Sequence, residues 1–253
     1  KTKPLGALGQ IETLGLQLGL IQSRLDPRLL EPQMVVFAGD HGLATDLADP
    51  SQRDTTTMVD DILQSRVALP VLAHHQGLNL QLVDCGLATA LPRQPGVLSR
   101  KIAHGTRNCR VAQAMSVDQA HAAIRAGMEI ADALPGNVLG CAGLGVGSLQ
   151  ASALLISALT QASLHDLLLV GPRMDPMELD RSILTLQAAQ NRHANLDDPV
   201  EALAAFGGFE TAMMVGAMLK AAEKRHLLLI DGMAACAALI VATHIAGPIT
   251  DYA

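Results

Sequence analysis

A chain of 253 residues is long enough to bury a full core, and 49% hydrophobic content with only 2% aromatic residues means that Leu, Ala, Val, Ile and ten Met must build it. A formal net charge of -6, with no run of Lys or Arg, offers no attraction to nucleic acid or an anionic membrane, so a small-molecule ligand is expected. Cys85, Cys109, Cys141 and Cys236 stand far apart without a C-x-x-C pair, and the histidines, His74 and His75 included, lack metal-ligand spacing, which argues against disulfides and a metal site and for reduced thiols in the cytoplasm.

In chain order, a helical N-terminal segment over residues 1–30 precedes the first aliphatic run, Met34–Asp40. Four similar runs follow: Leu80–Gly86, Asn137–Gly140, Leu167–Gly171 and Leu227–Gly232. They are continuously apolar rather than alternating, as strands buried on both faces are, and each ends in Gly or Asp. Helical periodicity fills the gaps, over Thr55–Gln76, Leu149–Leu159, Pro176–Gln190, Pro199–Phe206, Glu210–Glu223 and Met233–Ile245. The clearest start is at Ser116, where Ser116 and Gln119 form a capping box ahead of Ala120, Ala123, Ile124, Met128 and Ala131. Pro92, Pro95 and Gly96 interrupt a stretch from Ala88 to Val111 that reads as an excursion over one face.

The apolar segment Leu227–Gly247 is broken by Asp231, Gly232 and His244, and its uncharged part falls short of the roughly 20 residues a bilayer requires. It reads as a buried strand and helix. No signal peptide is visible behind Lys1.

Strands alternating with helices predict an α/β fold: a mostly parallel, doubly wound, Rossmann-like sheet with helices on both faces, in one large domain over residues 1–253. Ligands of such sheets bind beyond the carboxyl ends of the strands, so Asp40, Asp84, Gly143 and Asp231 should converge on one cleft. The turn Gly143–Ser148, with Gly145 and Gly147, follows a strand and opens a helix. It either holds a phosphate on backbone amides or is simply a tight turn needing small residues. It lacks the Lys of a P-loop and is not G-x-G-x-x-G, which argues against a dinucleotide-dependent oxidoreductase. Asp40 and His41 either contact ligand or hold their loop. Asp231 with Gly232 either binds a ribose hydroxyl or caps the next helix.

These residues also occur in a recognisable order. Lys3 to Glu12 resembles K-P-x-G-S-L-G-x-L-E, with Ala7 in place of Ser; Val36 to Gly42 resembles V-F-A-A-D-H-G; Val83 to Gly86 resembles V-D-x-G; and Gly105 to Asn108 resembles G-T-x-N. Asp198-Pro199, Gly207 to Glu210 and Asp231-Gly232 resemble D-P, G-G-F-E and D-G. The ordered set resembles the nicotinate-nucleotide:dimethylbenzimidazole phosphoribosyltransferase family of cobalamin biosynthesis.

The resemblance implies transfer of phosphoribose from nicotinate mononucleotide to a benzimidazole-type base, without cofactor or metal, by a homodimer. It also implies that residues 1–30 belong to a small subdomain completed by a C-terminal tail, and it places the general-base Glu beyond Ala253, so that this chain is expected to bind weakly and transfer slowly. Should the chain alone prove active, Asp231 and Glu210 are the carboxylates to test as base. Three positions depart from the family pattern: its loop Glu falls on Cys141, its Asn on Val146 and its Gln on Thr57. A family Lys falls near Ser182, where Arg181 stands in as the phosphate cation. The alternative is a non-catalytic homologue that binds a benzimidazole or a nucleotide, or pairs with an active relative.

Overall fold

The computed structural model describes residues 4, 6–47, 53–91, 95–169, 175–194 and 196–253. In order these form α1 (Gln10–Gln22), β1 (Gln33–Gly39), α2 (Thr55–Leu63), α3 (Ala68–His75), β2 (Asn79–Gly86), β3 (Val97–Ser99), α4 (Val117–Ala133) and β4 (Val138–Leu144). There follow α5 (Ser148–Thr160), α6 (Leu164–Leu169), α7 (Pro176–Arg192), α8 (Pro199–Phe206), α9 (Phe209–Glu223), β5 (Leu227–Ile230) and α10 (Met233–Ile245). Short 3-10 turns occupy Gly42–Asp46 and Gly247–Tyr252.

The strands form one sheet in the order β3-β2-β1-β4-β5, with every neighbouring pair parallel. From the central β1 the chain moves outward to β2 and β3, then returns across to β4 and β5. The order therefore reverses between β1 and β4, the kind of switch point beyond which such sheets bind ligands.

Both faces of the sheet are covered, though unequally. Val35, Phe37, Val83 and Cys85 point into the larger core, shared with α4, α5, α8, α9 and α10, whereas Val36, Ala38 and Leu82 meet Val59 and Ile62 of α2 and Leu69 of α3. The central helix α9 is buried from Phe209 to Met218 and packs behind β1, β2, β4 and β5. Two glycines bring α4 against α9 at backbone distance. A Cβ on Gly127 would lie 1.9 Å from the Met213 carbonyl oxygen, and one on Gly216 would lie 1.9 Å from that of Ile124. Ascending positions on α4 meet descending ones on α9, so the pair is antiparallel. The predicted capping box is present, with Ser116 Oγ accepting from Gln119 N–H and Gln119 Oε1 accepting from Ser116 N–H.

The apolar run Leu167–Gly171 is not a strand. Its first three residues end α6, and Val170 and Gly171 lie outside the described residues, as do Lys3, Leu5 and Pro92 of the motifs above. Leu164 and Leu168 are buried while Leu169 is 59% exposed, an i,i+4 pattern that suits a helix packed on α5 and α7. The place beside β4 belongs instead to β5. An unpredicted strand, β3, lies inside the Ala88–Val111 excursion and pairs Val97 to Ser99 with Leu82 to Asp84. The expected helix over Thr55–Gln76 breaks after Leu63, where Ser65 takes a positive φ, and restarts with Pro70 in the first turn of α3.

Candidate functional site

The ends of β1 and β4 are held together by a small hydrogen-bond lattice. Asp40, just past β1, accepts Thr55 Oγ–H on Oδ1 and the Ala88 amide on Oδ2 at 2.7 Å. Thr55 Oγ1 in turn accepts the Val146 amide at 3.0 Å, so the first turn of α2 ties Asp40 to the glycine-rich turn. The G-T-x-N segment lies on this corner: Thr106 N–H donates to Asp40 O at 2.9 Å, and a Cβ at Gly42 would meet Asn108 N at 2.5 Å. Asp84 is 3% exposed, accepting the Leu87 amide at 3.0 Å and pairing with Lys101 at 3.3 Å. Thus Asp40, Asp84, Gly143 and Asp231 share the carboxyl edge of the sheet, but Asp40 and Asp84 have their carboxylates committed to the fold.

His41 turns inward. Its partner is Glu210 at the start of α9: Nε2 lies 2.7 Å from Glu210 Oε1, with the two side chains 2% and 0% exposed. Burial works against the imidazolium, yet the facing Glu210 carboxylate and its hydrogen bond, with Asp40 nearby, outweigh it and hold His41 above the ordinary 6.5. Burial likewise opposes charge on Glu210, but His41 and Ser148 hold that carboxyl below its ordinary 4.5. Each group thus favours the charged form of the other. Nothing in the spacing of 169 residues reveals this pair; the one signal was Glu210 within the G-G-F-E motif.

Gly143, Gly145 and Ser148 form the floor of an open cleft of about 440 Å³, with Arg53 and Met58 on one wall and Met233 and Ala234 on another. Glycine is required here for close packing. A Cβ at Gly145 would lie 1.8 Å from the Gly39 carbonyl oxygen, and one at Gly143 would lie 2.6 Å from Ala234 Cβ. Gly147, at φ 87°, caps α5 without a side-chain bond. Within the turn, Val146 N–H is taken by Thr55 and Ser148 N–H donates to Gly145 O at 3.2 Å. That leaves the amides beyond Ser148 in the first turn of α5, which have no acceptor within their own helix, as the donors the turn can offer.

Asp231 and Gly232 are exposed and lead directly into Met233 on the cleft wall. The cap of α10 is Gly232, at φ 81°, without a side-chain hydrogen bond, so Asp231 is not the helix cap. Arg181 is exposed on α7, which packs on α5 and α6, and does not line the cleft; Arg53, paired with Asp61, is the cation that does. Residues 170–174, ahead of α7, lie outside the described residues. At two of the altered positions, burial pushes the Cys141 thiol up to about 12, and Thr57 Oγ–H donates to Asp54 at 2.7 Å. Among the described residues no cluster of three or more His, Cys, Asp or Glu is placed to hold a metal ion. A larger groove of about 630 Å³ between α1 and the Gly247–Tyr252 turn shares no residue with the strand ends.

A family model described as phosphoribosyltransferase matches residues 1–253. A nicotinate-nucleotide--dimethylbenzimidazole phosphoribosyltransferase of Janthinobacterium sp. (strain Marseille) is 40% identical over 256 residues, covering 100% of this chain and 74% of that protein. The protein of the same name from Variovorax paradoxus (strain S110) is 42% identical over 243 residues, covering 96% of this chain and 70% of its own length. Among solved structures, CobT from Thermus thermophilus superposes with a TM-score of 0.93 at 29% identity, over 99% of this chain and 77% of its own. Sequence and fold agree over the whole chain, which belongs to the nicotinate-nucleotide:dimethylbenzimidazole phosphoribosyltransferase family.

Proposed function

We propose that this protein transfers phosphoribose from nicotinate mononucleotide to 5,6-dimethylbenzimidazole or a related base, releasing nicotinate and forming α-ribazole phosphate for the lower ligand of cobalamin. The observation that supports the assignment is the cleft at the strand ends, where the glycine-rich helix start and Met233, two residues beyond the exposed Asp231, line the same space. The pyridine ring is cationic while bound to ribose, so it departs neutral without a general acid. The protein then has three tasks: align the two bases, stabilise an oxocarbenium-like ribose and accept the azole proton.

In this reading the phosphate sits on the amides at the start of α5, beyond Gly143, Gly145, Gly147 and Ser148, with Arg53 rather than Arg181 as its nearest cation. Asp231 accepts the ribose hydroxyls, and Gly232 lets the sugar approach the backbone. Asp40 and His41 support the loop. Glu210, fully buried and paired with His41, cannot take a proton from a ligand, so Asp231 is the carboxylate to test for that role within this chain.

Incubation with nicotinate mononucleotide and dimethylbenzimidazole should release nicotinate matched one to one by α-ribazole phosphate, and only when both are present. Nicotinate release without the new nucleotide would overturn the assignment. The same assay reads the rate, for which Cys141, Val146 and Thr57 set a low expectation.

We further propose that α1 belongs to a small subdomain. It exposes Ile11, Leu14, Leu16 and Leu20, and it is held by bonds from Arg225 to the carbonyls of Leu20 and Ile21 and from Gln17 to that of Ala253. No helix among the described residues is long and apolar enough to cross a membrane. A cytoplasmic homodimer completes the reading, to be checked by sedimentation equilibrium.

A further inference from the structure

Binding at the start of α5 leaves unexplained the ion pair buried directly behind it. Glu210 Oε1 accepts three hydrogen bonds, from His41 Nε2 at 2.7 Å, Ser148 Oγ at 3.2 Å and Thr211 Oγ1 at 3.3 Å. Oε2 is buried without a side-chain or backbone partner among the described residues. The space for the pair is cut by glycine. A Cβ at Gly208 would lie 2.0 Å from Glu210 Oε2 and 2.4 Å from His41 Cε1, one at Gly39 would lie 2.9 Å from Oε2, and one at Gly147 would lie 3.0 Å from His41 Cβ.

Burying two charges in this way seldom stabilises a fold more than apolar residues of the same volume would, so the arrangement points to a geometric task. Two bonds join the pair to the candidate binding turn: His41 N–H donates to Val146 O at 3.3 Å, and Ser148 Oγ–H donates to Glu210. A serine hydroxyl has one hydrogen, and an ionised carboxylate can only accept. While Ser148 serves Glu210, it has no hydrogen to offer a phosphate.

We propose that His41 and Glu210 are positioning residues that act through Ser148. They fix the first turn of α5 against the end of β1, so that its amides already point at the phosphate of the bound nucleotide. Ser148 is thereby an anchor for the turn rather than a phosphate donor. The proposal rests on the reading that the nucleotide phosphate sits at this turn.

The test is a double-mutant cycle on the affinity for nicotinate mononucleotide, using Ser148→Ala, Glu210→Gln and the double variant of the full chain. Each single change should weaken binding on the order of tenfold, the effect of losing one charge-assisted hydrogen bond. The double variant should be no weaker than the weaker single, because Glu210→Gln weakens and Ser148→Ala removes the same link. Ser148→Thr, which keeps the hydroxyl, should restore affinity. Ser148→Ala leaves the ion pair whole and keeps the test valid if Glu210→Gln does not fold, and His41→Gln then closes the cycle from the other side. Additive losses would show that Ser148 contacts the ligand independently and would overturn the proposal, as would a Ser148→Ala variant that binds like the wild type. Failure of the wild type to bind nicotinate mononucleotide would instead overturn the nucleotide reading, and this proposal with it.

Discussion

Gly216→Ala and Gly127→Ala should each destabilise the protein by at least about 2 kcal/mol, the upper part of the range for overpacking a tight contact. Helix propensity alone predicts the opposite sign, a gain of up to about 1 kcal/mol for replacing Gly by Ala within a helix. Packing decides the outcome. Each new methyl would lie 1.9 Å from a carbonyl oxygen of the facing helix, and that oxygen belongs to rigid backbone that cannot rotate away. The helices must then separate, which opens the core shared by α9 and four strands. Gly15→Ala in α1 is the control. Nothing lies within 4 Å of the point a Cβ would occupy there, so this change should be neutral or stabilise by up to about 1 kcal/mol. Urea unfolding of the three variants would settle the order, and a stabilised Gly216→Ala would contradict the close contact of α4 and α9.

Glu210→Ala should cost about 3–5 kcal/mol, because it removes the carboxylate that hydrogen-bonds the buried His41 and leaves only the more distant Asp40 charge to offset it. The difference between wild type and variant should also depend on pH. The elevated His41 value means that its contribution is complete below its ordinary 6.5 and is lost as pH rises through the elevated value. The depressed Glu210 value means that its contribution is complete above its ordinary 4.5 and is lost as pH falls through the depressed value. The gap should therefore be widest between about pH 4.5 and 6.5 and narrow on either side. Thermal or urea unfolding from pH 4 to 9 reads this directly, and a gap constant over that range would mean that the pair is not an ion pair.

Sheet architecture was legible because β1, β2 and β4 are largely buried and β5, though an edge strand with Leu229 exposed, is wholly aliphatic, so that all four appear as unbroken apolar runs. The run at Leu167 misled for the same reason. Over five residues, an apolar segment packed between helices has the composition of a buried strand, and only the i,i+4 burial of Leu164 and Leu168 distinguishes it. β3 escaped notice because a three-residue edge strand with one neighbour needs little apolar character. At the site, the strand ends and the glycine-rich turn could be read locally. The partners of Asp40 and His41 could not, since Thr55, Ala88 and Glu210 reach them only through the crossovers of the folded chain. Adjacent in sequence, Asp40 and His41 face different neighbours and hold different parts of the same corner.

The proposed chemistry depends first on where the nucleotide binds. Calorimetric titration of nicotinate mononucleotide into the wild type and into Asp231→Asn should show saturable binding at one site per chain, weakened on the order of tenfold by the substitution, which removes a charged acceptor for the ribose hydroxyls. NAD should not compete. Unchanged affinity in Asp231→Asn, or tight binding of NAD in place of nicotinate mononucleotide, would contradict a nucleotide site between the end of β4 and the start of α10.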